Sequence, residues 1–122
     1  MIYTSYWSNI GKLRKAGIEP VAVSRGKPKN FNGRYIDSLA PSWAMLKMDS
    51  DEYDELYQRI LDRNDADDIV RWLGNKDVAL CCWEKNPNDC HRSKIAKWLR
   101  DNGYECEEYV EKKEEAIQLT LF

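Results

Sequence analysis

Residues 80–94 read LCCWEKNPNDCHRSK, and they hold the chain's densest collection of groups able to do chemistry. An apolar run stops at Trp83, a carboxylate follows at Glu84, and Cys90, His91 and Arg92 come after a polar gap. His91 is the only histidine. In catalytic terms Cys90 is the nucleophile candidate, His91 the proton carrier and Glu84 the carboxylate that orients the imidazole. Arg92 offers a forked donor suited to phosphate or carboxylate. If Cys90 to Arg92 open a helix, its unpaired N–H groups and macrodipole favour an anion there and lower a thiol pKa. The competing reading is structural: Asp89 as helix cap, Cys90 as a small buried residue, His91 at a boundary and Arg92 pairing with Glu84. Spacing alone slightly favours that second reading. Between the chemical options, anion or nucleotide binding is better supported than thiol attack. The glycine-rich cradle of a cysteine phosphatase is missing between Cys90 and Arg92.

The elements that must position these residues are readable from patterning. The stretch 77–83, DVALCCW, is continuously apolar, as in a central strand covered on both faces. A helix over roughly 89–102 follows, capped by Asn88 or Asp89 and closed by Asn102-Gly103. Upstream, 2–7 and 19–26 are predicted strands with a short helix between them, capped by Ser8 or Asn9 and ended by Gly17. Residues 25–42 form a long loop, a class that is often functional. Helices are predicted over 49–63 and 64–76, the second stopped by Gly74, and 104–110 alternates like a last strand. Strands alternating with helices indicate an α/β fold, a single domain with a small, mainly parallel sheet flanked by helices. Ligands in such folds sit beyond the carboxyl ends of the strands. Ser5, at the end of the first strand, and Ser24 and Arg25, at the end of the second, therefore join Arg92 as anion-binding candidates.

Composition sets the outer limits. The 122 residues suit one domain over 1–110, with a charged linker and tail over 111–122. Five Trp, seven Tyr and 43% hydrophobic residues exclude a disordered chain. A net charge of −2 gives no global field for nucleic acid, although local basic groups remain available. No apolar run reaches bilayer length and no secretory signal precedes the first strand, so a cytoplasmic protein with reduced thiols and no membrane partner is expected. Adjacent Cys81 and Cys82 point to opposite faces of a strand and no C-x-x-C pair exists, so neither a metal nor another cofactor is expected.

Two resemblances sharpen this picture. YTSYWSNIGKLRKAGIEPVAVSRGKP, together with ALCCWEKNPNDCHRSKIAKWLRDNGYECEEY, resembles a bacterial and phage domain-of-unknown-function family numbered four-eight-eight. Its hallmark is L-C-x-E or L-C-x-x-E, a polar gap, and C-H-R opening a helix. Leu80, Cys81 or Cys82, Glu84, Cys90, His91 and Arg92 carry it here. Many members begin T-I-G-H-S and place D-V-R after the second strand. This chain matches at Thr4, Ser8 and Arg25 but holds Trp7 and Val23 where the family His and Asp stand. The resemblance implies the fold and the site location, and no reaction.

The segment QLTLF, 118–122, resembles the bacterial sliding-clamp-binding pentapeptide Q-L-[SD]-L-F. Leu119, Leu121 and Phe122 would fill a hydrophobic groove, and Gln118 would fix the register. The alternating AIQLTLF could instead add an edge strand to the chain's own domain. Taken together, the expectation is a protein of bacterial or phage DNA replication, repair or nucleotide metabolism. It would bind a nucleotide or nucleic acid, as a hydrolase or transferase, at the Cys-His-Arg turn. The alternative is a non-catalytic adaptor or inhibitor of the clamp.

Overall fold

The computed structural model describes residues 1–86 and 91–111. Strand β3 (Val78–Cys82) is buried at every position, as its unbroken apolar run requires. It pairs in parallel with β1 (Ile2–Tyr6) on one side and β2 (Glu19–Ala22) on the other. Strand β4 (Cys106–Glu108) adds in parallel to the free side of β1, giving the order β2-β3-β1-β4. This is the small α/β domain expected, and among the described strands every pairing is parallel.

Helix α1 (Ile10–Lys15) is shorter than expected. Trp7–Asn9 forms a 3₁₀ turn before it, and Asn9 does not cap it. The Asn9 side chain donates instead to Ser5 Oγ at 3.1 Å. Gly17, at φ 76°, ends the segment in the left-handed region, where a side chain would be strained. Helices α2 (Ser50–Asp62) and α3 (Ala66–Leu73) each begin on a carboxylate cap. Asp49 accepts from the Glu52 N–H at 2.9 Å, and Asp65 from the N–H groups of Asp67 and Asp68. Helix α4 (Arg92–Asp101) starts later than predicted, with His91 at its N-cap and no side-chain cap. The expected caps Asn88 and Asp89 lie outside the described residues, as do Cys90 and the tail 112–122.

The sheet divides the core in two. Val21, Val78, Leu80 and Cys106 face the stripes of α2, α3 and α4, represented by Tyr57, Leu61, Leu73, Ile95 and Leu99. On the opposite face Ala22, Ala79 and Cys81 pack under Trp7, Leu13 and Phe31. Small residues on this second face let the large aromatic rings approach the sheet closely.

The long loop after β2 is tied down. Tyr35 bridges to Ala22, the Ala22 N–H donates to Arg34 O, and the Ile36 N–H donates to Ala22 O. This covers the outer edge of β2, which would otherwise offer unpaired backbone groups. Arg34 adds a second anchor, forking onto Glu19 at 2.8 and 3.0 Å while donating to the Trp72 and Leu73 carbonyls that end α3. No described helix is long and apolar enough to cross a membrane.

Candidate functional site

A cavity of about 760 Å³ opens beyond the carboxyl ends of β2 and β3. Its floor comes from Ser24, Arg25 and Gly26 after β2, and from Cys82, Trp83 and Glu84 at the end of β3. His91 closes one side; Trp43, Met45, Leu46 and Met48, ahead of α2, form another. Tyr53, Asp54 and Lys94 supply the remaining wall. The volume falls within the range of small-molecule sites, about 300–1,000 Å³. Parallel topology accounts for the position: all strands end on one edge, and neighbouring connections diverge there.

The structure thus brings Glu84, His91, Ser24 and Arg25 to one cavity. Glu84 is exposed within it. His91 is buried, and its Nε2 lies 2.7 Å from Val23 O. A carbonyl only accepts, so the proton sits on Nε2. Burial pushes the imidazole down to about 4, opposed by the Val23 contact and assisted by the nearby Arg92 cation. The ring is therefore neutral at pH 7. Tyr57 packs against it, with centroids 5.1 Å apart, and donates its own hydroxyl to Leu39 O at 2.6 Å.

Arg92 and Ser5 are not cavity residues. Arg92 is fully buried, and every nitrogen of its guanidinium is engaged by protein groups. Nε and Nη2 fork onto Glu108 at 2.9 Å each, Nη2 also donates to Lys85 O at 2.8 Å, and Nη1 donates to Glu84 O and to Cys82 Sγ. Thr4 completes the arrangement by donating to Glu108 at 2.7 Å, and the cation lies over the Tyr6 ring. The residue expected to grip an anion instead fastens the exit of β3 to β4. Ser5 is fully buried on the α1 side and accepts from Asn9.

Ser24 and Arg25 also have internal duties. Ser24 Oγ accepts from Trp7 Nε1 at 3.0 Å and donates to Gly26 O. Trp7, standing where the family resemblance has a histidine, therefore joins the ends of β1 and β2. Arg25 donates to Pro41 O at 2.7 Å and pairs with Asp37 at 3.0 Å, closing the base of the long loop.

Cys90, the nucleophile candidate, lies outside the described residues. Cys82 is disulfide-bonded, in contrast to the reduced state expected. Among the described residues the free cysteines are Cys81 and Cys106, both buried and both pushed up to about 12 by desolvation. Neither is a nucleophile at neutral pH. The clamp-motif residues Gln118, Leu119, Leu121 and Phe122 also lie outside the described residues. No group of three or more His, Cys, Asp or Glu suited to a metal occurs among the described residues.

Sequence reasoning missed the wall from α2 and the segment before it. Trp43 and Leu46 are 68% and 53% exposed, and Trp83 is 53% exposed, although all three are large and apolar. Their signal was positional: Trp43 follows a Pro-Ser turn where no amphipathic period needs it, and Trp83 sits at the strand end beside Glu84.

No curated protein and no solved structure shows significant similarity to the chain. The sequence model of the family described as "Active DUF488-N3 subclade" matches residues 8–103, well over half of the chain and spanning β2, β3, the cavity floor and α4. The chain belongs to the DUF488 family, within its N3 subclade.

Proposed function

We propose that the chain binds a nucleotide or nucleic acid in the cavity at the carboxyl edge of its sheet, and that the pentapeptide Gln118–Phe122 recruits it to a bacterial sliding clamp. The observation that carries this reading is the cavity itself. It lies at the strand-end position where α/β folds hold ligands, with a polar floor and aromatic walls. As a hydrolase or transferase of DNA replication or repair, it would use Glu84 as the carboxylate facing the substrate. The engaged Arg92 would hold the Glu84 segment in place, and the neutral His91 the facing end of β2 through Val23 O. The subclade's description as active supports this enzymatic form.

A second reading, a non-catalytic adaptor or clamp inhibitor, is favoured by the state of His91. An imidazole near pKa 4 with Nε2 committed to Val23 O is a weak base.

A thermal-shift screen of nucleotides and short oligonucleotides tests the cavity, and a clamp pull-down with and without residues 118–122 tests recruitment. Both readings expect tail-dependent clamp capture in the cytoplasm. Only the first expects turnover of a bound substrate that Glu84→Gln abolishes. Absence of any stabilising nucleotide or oligonucleotide would refute the cavity assignment.

A further inference from the structure

We propose that Trp43 and Trp83 form an aromatic clamp at the cavity that holds a nucleobase by stacking, so that the base rather than the phosphate carries the affinity. This inference rests on the nucleotide- or nucleic-acid-binding reading above and specifies what that site recognises.

Three observations lead to it. First, the two indoles converge on one backbone point. A Cβ placed on Gly26 would meet Trp43 Cη2 at 3.7 Å and Trp83 Nε1 at 3.8 Å. Gly26, at φ 138°, presents bare backbone beside both rings. Second, Trp83 is held in orientation while staying half exposed. Its Nε1 donates to Gly26 O at 3.2 Å, and it leans on Trp7 with centroids 6.2 Å apart. A fixed ring with an open surface loses little freedom when a flat ligand stacks on it.

Third, the charges around the cavity are matched. Arg25 pairs with Asp37 at 3.0 Å and Lys94 with Asp54 at 2.9 Å. Arg92 faces Glu108, and Glu84 adds a further carboxylate to the lining. Little unbalanced positive charge is left to attract phosphate, so electrostatics is a weak source of affinity for a polyanion. Stacking on exposed indoles is the remaining strong interaction, and every base has a π face that accepts it. The same chemistry serves a free nucleoside or an unpaired base in a single strand.

The test titrates the full chain by calorimetry with the four nucleosides, their 5′-monophosphates, inorganic phosphate and a thymidine dodecamer. At least one nucleoside is expected to bind within about threefold of its monophosphate and to weaken only slightly between about 50 and 200 mM salt, where phosphate-driven binding falls steeply. Trp43→Ala and Trp83→Ala should each weaken binding about tenfold, equivalent to about 1.4 kcal/mol, with Trp43→Phe retaining most of the affinity. Trp43 is too exposed for its loss to alter the melting temperature, and Trp83→Phe preserves the ring should Trp83→Ala misfold. A dodecamer that binds where nucleosides do not, and still needs both rings, supports the clamp with a strand as the source of the base. Base-containing probes that bind the two alanine variants as well as they bind the parent, or that inorganic phosphate displaces, overturn the clamp and leave the nucleotide reading standing. Failure of every base-containing probe overturns that reading and the clamp with it.

Discussion

Lowering the pH from 7 to 5 should destabilise this protein through a single side chain. His91 is the only histidine, and the ordinary carboxylates titrate below this interval. Burial holds its pKa near 4, against 6.5 for an exposed imidazole. Between those two values the unfolded chain binds a proton that the folded chain refuses. Stability is therefore complete above about pH 6.5 and lost progressively as pH falls toward 4, beyond which both states are protonated and the loss levels off. At 1.36 kcal/mol per unit, the separation corresponds to about 3 kcal/mol in the limit and about 2 kcal/mol at pH 5. Urea denaturation at half-unit pH steps measures it directly. The variant His91→Gln, whose amide can still donate to Val23 O, removes the titration and should flatten the profile between pH 5 and 6.5. A parent protein equally stable at pH 7 and pH 5 would refute the reasoning. So would a glutamine variant that declines in parallel.

Other outcomes follow from the same contacts. Arg92→Met should cost about 3 kcal/mol in chemical denaturation, because it strands the Glu108 carboxylate beside Thr4 and releases the Glu84 and Lys85 carbonyls. Arg92→Lys should recover only part of this loss, since an ammonium cannot make the fork. Tyr57→Phe should cost about 1–2 kcal/mol by leaving Leu39 O without its buried donor, again read by denaturation. Deleting residues 118–122 should abolish capture by an immobilised clamp while leaving the melting temperature unchanged.

The strand that builds the site was legible because β3 is apolar at each position, a pattern only a doubly covered strand needs. The stop of α3 at Gly74 was legible as well, because a residue held at φ 85° is a local backbone requirement that glycine meets. Arg92 was misread as a free clamp because its charge outweighed its position. It precedes Ile95 by three residues and Leu99 by seven, which places it on the buried stripe of α4. Glu108, two residues after the buried Cys106, falls on the same face of β4 and was the partner to look for. What no local pattern could reveal was that Trp43 and Trp83 line one cavity. They are 40 positions apart and touch the same cavity only because the long loop folds back over β2.

The parallel direction of β4 has a consequence for delivery. The strand runs the same way as β1, and Tyr109 continues the ladder by donating its N–H to Thr4 O at 2.8 Å. Glu111 then meets Lys12 of α1 at 3.0 Å. The chain thus leaves the sheet on the edge that carries the cavity. Residues 112–117 can span at most about 20 Å before the pentapeptide begins. If the pentapeptide seats on a clamp as proposed, this reach would bound how far the cavity could lie from it. Local concentration would then replace intrinsic affinity, and a site with matched charges could sample a nucleic-acid strand without gripping its backbone.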